Sequence, residues 1–353
     1  MREIHRVSCE NPVNKMWNMF VYFESEPHVK QLFDQYYQDK YKADTARLSF
    51  QNTRKFIYYI KQGREYFHTA SRSADLVKPL LLYYGMVSLL KAFILTADAH
   101  YPTHTKVLQH GMTCRKLKKL DYTFSDDEVK IQRDGLFPLV AAHLGSEQLV
   151  GEKFKMKNLL AMLPELRAAY EKTYEHVDLE PIHISKHVDY TYPYTTFYLP
   201  EHILDKCHLS YSSFIHFLNR YNHGQARFTT HDLEAPQGII RLNWHHPEQI
   251  QVLENPTGFD NDLFIQDYKG NHYFYTKPDA AASFIPEILV HYMLMYTLGM
   301  ICRYETELWG EMIFSLSSTE MFIIQEFLAI NERKFPNMIL NLLFQERFIF
   351  ETK

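Results

Sequence analysis

Glycine is scarce in this chain, with 12 residues in 353, against roughly 7% in an average protein. Neither G-x-x-x-x-G-K-[ST] nor G-x-G-x-x-G occurs, which sets aside the common phosphate-cradling loops. H-E-x-x-H, G-x-S-x-G and the kinase Asp and Lys signatures are missing too, and with them the easily recognised hydrolases, metalloproteases and kinases. Cysteine is sparse: Cys9, Cys114, Cys207 and Cys302 stand far apart with no C-x-x-C pair, the pattern of free thiols in a reducing compartment. The start, Met-Arg-Glu-Ile-His-Arg, is polar and leads into no apolar run, so no secretory leader is expected. There is no excess of base: Lys+Arg 38 against Asp+Glu 42 gives a net charge of −4, which argues against a strongly basic, groove-filling nucleic-acid binder. No internal repeat and no low-complexity linker interrupts the chain.

What is present is apolar and aromatic. Hydrophobic residues make up 46%, with Tyr 25, Phe 25 and Trp 3, so a globular body with a large aromatic core is expected. Two stretches approach membrane-spanning length. Residues 79–97 carry Lys91, and residues 284–302 hold Pro286, Glu287 and His291. Charges at such depth are costly in lipid, so both are expected to be core helices of a cytoplasmic protein without membrane contact.

Helix signals dominate the pattern. Asn11-Pro12 reads as a cap and first turn leading through Trp17 to Phe23. Pro27 opens a helix to about Tyr41, and Asp44-Thr45 opens a long one in which Leu48, Phe56, Ile57, Ile60 and Phe67 recur at helical spacing. Caps at Ser73 to Asp75 are expected to start the next, running to about Asp98. Shorter helices are expected over 157–163 and 164–176, an amphipathic one over 210–221, and apolar ones over 286–303, 317–333 and 336–347. Residues 179–198 read as extended, and 239–244, 263–266 and 273–276 as strands, the last two joined by the turn Asp267-Tyr268-Lys269-Gly270-Asn271. The expected fold is mainly α, a large helical body with a small β insertion near 236–278. Three stretches divide it: an N-terminal helical region 1–178, a mixed segment 179–283, and C-terminal helices 284–353 completing the core.

Four local signals invite chemistry. Nineteen histidines raise the question of a metal, but His183 and His187 lie in an extended segment, where four residues span about 13 Å, and no metal or cofactor is expected. Arg115, Lys116, Lys118 and Lys119 form a basic turn or short helix that could hold a phosphate or an RNA backbone, or could pair with Asp126, Asp127 and Glu128. Arg303-Tyr304 and Trp309 read as structural, with Arg303 capping helix carbonyls and Trp309 packed beneath. The segment Asn219 to Gly224 offers Arg220, Asn222 and His223 as an anion anchor and a general acid or base, while Gly224 also reads as a helix C-cap.

The stretches DLVKPLLLYYGMVSLLKAFIL (Asp75 to Leu95), His110-Gly111, ILVHYMLMYTLGMICRYETELW (Ile288 to Trp309) and RKFPNMILN (Arg333 to Asn341) resemble the YaaC-like family of Bacillus and its relatives. The resemblance spans most of the chain and implies a cytoplasmic, mainly helical protein. Members tend to be encoded beside IMP dehydrogenase, which implies that enzyme as a protein partner. The Tyr-Tyr-Gly of a long helix and the later His-Gly are also similar to HEPN-type helical domains, many of which cleave RNA or act in toxin and defence systems. Their signature is Arg, four to six residues, then His on a helix. Here Arg220 and His223 are separated by two residues, Arg64 and His68 by three, and Arg227 and His231 by three. Arg241 and His246 have the right spacing but lie in the predicted β insertion, followed at once by Pro247.

The expected function is therefore a non-catalytic interaction or regulatory protein. Trp244, Phe264, Tyr268, Tyr273, Phe274 and Tyr275 form its candidate docking surface, unless they simply fasten the hairpin to the helical body. The alternative is a HEPN-type RNA-binding or metal-independent RNA-cleaving protein using Arg220, Asn222 and His223. The pattern leaves the oligomeric state open.

Overall fold

The computed structural model describes residues 4–115, 122–184, 194–221, 227–230, 236–245, 263–277, 285–314 and 320–352. They fall into two compact units, one of residues 1–6 with 161–284, the other of 7–160 with 285–353. We call them the sheet unit and the helical unit.

Strand β1 (Ile4–Cys9) belongs to the helical unit from Val7 onward, and helix α1 (Pro12–Phe20) follows it. Asn11 caps α1, its side-chain oxygen accepting from the Asn14 N–H at 3.0 Å, and Pro12 fills a first-turn position that needs no donor. Helices α2 (Glu26–Tyr41), α3 (Thr45–Ala70) and α4 (Lys78–Ala97) follow. α3 and α4 pack antiparallel through three rungs: the rings of Tyr66 and Tyr84 at 6.1 Å, Ser88 Oγ donating to Gln62 Oε1 at 3.1 Å, and Lys91 Nζ 5.8 Å from the Tyr59 ring. The residue numbers in each rung add to the same total, as two antiparallel helices in register require. Gly85 lets the pair close up, since a Cβ there would come within 2.9 Å of Phe67 Cδ2. The caps expected at Ser73 to Asp75 do other work. Val77 occupies the N-cap of α4 without a side-chain bond, Ser73 Oγ donates to Ala70 O, and Asp75 accepts from Gln325 Nε2 at 3.0 Å.

A three-stranded antiparallel sheet comes next. It consists of β2 (Met112–Arg115), β3 (Glu128–Ile131) and, after α5 (Leu136–His143), β4 (Lys153–Lys155); α6 (Met156–Ala161) follows. Of the residues expected to form a basic turn or short helix here, Arg115 instead ends β2 in register with Glu128. Lys116, Lys118 and Lys119 lie outside the described residues.

The sheet unit holds α7 (Arg167–Tyr174), β5 (Leu179–Ile184), β6 (Tyr194–Pro200), α8 (Ile203–Cys207), α9 (Tyr211–Tyr221), β7 (Arg227–Thr230), β8 (Ile239–His245), β9 (Phe264–Gln266) and β10 (His272–Tyr275). The strands form one six-stranded sheet in the order β7-β8-β6-β5-β10-β9. The β content is thus larger than a small insertion at 236–278. The extended stretch beginning at Leu179 supplies the central strands on which the later ones pair. Phe197, Phe228, Leu242, Trp244, Phe264 and Phe274 cover one face and bury Phe214 and Leu218 of α9, the strand alternation meeting the helix period.

The helical unit is completed by α10 (Glu287–Tyr304), α11 (Thr306–Phe314), α12 (Glu320–Phe344) and β11 (Arg347–Thr352), which pairs with β1. Two helices were expected where α12 is one, running through Pro336. An internal proline costs about 3 kcal/mol; burial of Phe335, Pro336, Ile339 and Leu340 offsets it. α4 is the one described helix long and apolar enough to cross a membrane, and 67% of that span is buried in the protein.

Candidate functional site

In the sheet unit, the residues singled out for chemistry separate. Asn219 is a structural clamp: its amide donates to Phe228 O at 2.9 Å, and its oxygen accepts from Phe228 N at 2.7 Å. The side chain thus mimics a neighbouring strand along the outer edge of β7. Arg220 is exposed at the end of α9, and Asn222 and His223 lie outside the described residues. An open groove of about 600 Å³ is lined by Tyr211, His216, Asn219, Arg227, Thr229 and Thr230 among others.

The expected docking surface is corrected. Trp244, Phe264 and Phe274 are 3%, 5% and 1% exposed, because their positions fall on the strand face that α9 covers. Tyr268 is exposed at the β9–β10 turn, while Tyr273 and Tyr275 are half-buried. Asp267 holds that turn, accepting from the N–H groups of Lys269 and Asn271 at 2.9 Å each.

In the helical unit, the segments that carry the family resemblance meet. Tyr83 OH lies 2.6 Å from His110 Nδ1, and the His110 ring is 5.6 Å from that of Tyr296 on α10. The loop that presents His110 is fixed from behind, where the first N–H groups of α5, on Leu136 and Phe137, donate to Gln109 O and His110 O. Gly111 has φ +78°, and a Cβ on it would come within 2.3 Å of Pro138 Cδ. Both motif glycines are therefore explained by close packing. Burial, then the charges of Arg303 and Lys91, lower the proton affinity of His110 below its ordinary value, so the ring is neutral at neutral pH.

Arg303 does not take the role expected of it. Its Nη1 donates to Tyr84 OH at 2.9 Å, and its guanidinium lies 5.0 Å from the Tyr304 ring. Trp309 packs as expected, fully buried, with Nε1 donating to Leu76 O at 3.1 Å. Cys302 Sγ reaches the same carbonyl at 3.2 Å. Neither Cys114 nor Cys207 offers a ready nucleophile, since burial pushes their thiols up to about 12 and about 11. Among the described residues no group of three or more His, Cys, Asp or Glu could hold a metal ion.

A polar cluster inside this unit was not anticipated. Glu287 and Lys334 form an ion pair at 2.5 Å, with His291 Nε2 3.7 Å from the same carboxylate and Asn331 Nδ2 3.0 Å from His291 Nδ1. Burial opposes ionisation of Glu287, but Lys334 and His291 hold it below its ordinary value. The cluster ties α10 to α12.

Comparison with known proteins agrees with the resemblance read from these segments. The family model described as YaaC-like Protein matches residues 21–343. No curated protein and no solved structure matches the chain.

Proposed function

The chain belongs to the YaaC-like family, and from that premise we propose that it is a non-catalytic, cytoplasmic protein that binds and modulates a partner enzyme. The observation that carries this reading is the exposure of large apolar side chains at one end of the helical unit. Leu76 and Val77 are 39% and 46% exposed at the entrance to α4, where Leu76 O is bonded by Trp309 and Cys302. Phe322, one turn from the Gln325 that bonds Asp75, is 46% exposed. On the adjoining chain Tyr304 and Phe314 reach 64% and 75%. Apolar groups of this size, gathered rather than scattered, mark protein contact surfaces.

IMP dehydrogenase is the partner to test first, given the gene neighbourhood that the family resemblance implies. With purified proteins in biolayer interferometry, the chain is expected to bind that enzyme, and Tyr304→Ser with Phe314→Ser to weaken binding at least tenfold. Failure of both enzyme binding and co-purification of any stoichiometric protein partner from nuclease-treated lysate overturns the reading.

A second reading, a HEPN-type scaffold that binds or cleaves RNA without metal, is favoured by the groove beside α9. There Arg227, His216 and Tyr211 line a surface adjoining Arg220. Cation and aromatic ring together suit single-stranded RNA. It predicts RNA cleavage lost in His223→Ala; intact RNA across varied conditions removes it.

A further inference from the structure

Several cations withdrawn from water in the helical unit are met by carboxylates. Lys78 pairs with Glu332 at 2.9 Å, Lys334 with Glu287 at 2.5 Å and Arg64 with Glu24 at 2.6 Å. Lys91, half-buried, and Arg303, exposed, are not. Neither takes part in any ion pair found among the described residues. Lys91 lies against the Tyr59 ring at 5.8 Å, and Arg303 against the Tyr84 hydroxyl at 2.9 Å.

Both belong to one face. Tyr84 and Lys91 are two turns apart on α4, about 10 Å along the axis, a gap two long cationic side chains can close upon. Arg303 comes in from α10 over Tyr84. His110 stands behind, bonded to Tyr83, and the charges of Arg303 and Lys91 both reach its ring. A lysine partly withdrawn from water with no counter-charge is unfavourable, and burial lowers the Lys91 proton affinity. An oxyanion between the two cations would reverse that cost.

We propose that the corner made by Lys91, Arg303 and His110 binds the phosphate of a small phosphate monoester. A guanidinium fork, an ammonium and a phenol suit the several oxygens of a phosphate better than the two of a carboxylate. The rings of Tyr66 and Tyr84, 6.1 Å apart on the same face, offer flat surface to the body carrying it. The groups facing His110 are Tyr83, Tyr296, Arg303 and Lys91. A bound dianion offsets the two cations, so His110 takes up a proton as the ligand binds. The site borders the docking face, since Arg303 lies 5.0 Å from the Tyr304 ring, but its test uses no partner protein.

The test is calorimetric titration of the full chain with adenosine 5′-monophosphate, ribose 5-phosphate, inorganic phosphate, adenosine and a ten-nucleotide RNA. Both monoesters are expected to bind, and adenosine not. Arg303→Gln and Lys91→Met should each weaken them at least tenfold, while Arg47→Gln, whose partner is Asp44, leaves affinity unchanged. Arg303 is exposed, so its variant tests binding even if Lys91→Met fails to fold. Repetition near pH 7 in buffers of different ionisation enthalpy should show proton uptake, lost in His110→Gln. Absence of monoester binding, or unaltered affinity in Arg303→Gln, overturns the proposal. Inorganic phosphate binding as tightly as the monoesters, or RNA binding alone, overturns it as well.

Discussion

The Tyr83 hydroxyl lies 2.6 Å from Nδ1 of His110, and this bond joins the long core helix α4 to the loop before β2. Burial first, and the charges of Arg303 and Lys91 next, place the native proton affinity of His110 below its ordinary 6.5. Below about pH 6.5 the unfolded chain therefore binds more protons than the folded one. Stability from this group is present above that pH and is lost as pH falls toward the lower native value. His143 and His245 are displaced the same way, chiefly by burial. The melting temperature should fall between pH 7 and 5, and His110→Gln should make the fall shallower. An unchanged slope would remove His110 from the account. Tyr83→Phe should cost about 1–3 kcal/mol at pH 7, the penalty of leaving a buried polar group without its partner.

The Glu287–Lys334 pair predicts an asymmetry. Lys334 is 7% exposed and Glu287 16%, so Lys334→Met leaves a carboxylate in the core, at a cost of about 3–5 kcal/mol. Converting both residues to Met should cost less than the single change, because no charge is then stranded. Urea unfolding of the unaltered chain and the two variants checks this. A double variant weaker than Lys334→Met would show that the pair contributes more than it costs to bury.

Much of the helical frame was legible because its signals are local. Asn11-Pro12 caps α1 as its spacing implies, and the periodic apolar residues of α3 are buried as a stripe. The three-stranded sheet and the sheet unit's full width were harder to see. Strands of three or four residues such as β4 and β9 carry too little alternation to register, and their partners are distant in sequence. α12 read as two helices because proline is a local breaker, whereas the packing that carries the helix through Pro336 is tertiary. Arg303 illustrates the same limit. Its position at a helix end suggested a cap, but its partner is Tyr84, 219 residues away. The Lys91 face did leave a trace: Tyr59, Gln62 and Tyr66 on one helix, and Tyr84, Ser88 and Lys91 on the next, repeat at i, i+3/i+4, i+7, a polar stripe where α4 is otherwise apolar.

Asn219 gives a prediction about solubility. By bonding both backbone groups of Phe228, it occupies an edge that would otherwise invite pairing by another strand. Asn219→Leu should lower stability by about 1–3 kcal/mol and increase self-association. Light scattering during storage reads the second effect, and a monodisperse variant would mean that the edge is protected by other means.

Gly111 separates backbone strain from side-chain collision. It has φ +78°, and an added Cβ would lie 2.3 Å from Pro138 Cδ and 3.1 Å from Gly135 Cα. Gly145 has φ +67° with nothing within 4 Å. Gly145→Ala pays only the left-handed backbone term, about 1–2 kcal/mol. Gly111→Ala adds a clash that moves the α5 entry, where Leu136 N and Phe137 N bond Gln109 O and His110 O. It should therefore be the more damaging by at least about 1–3 kcal/mol, and should weaken monoester binding through the displaced His110. Equal melting temperatures for the two variants would show that the loop carrying His110 yields without cost, and would leave His110 too loosely held to answer the charges of Arg303 and Lys91.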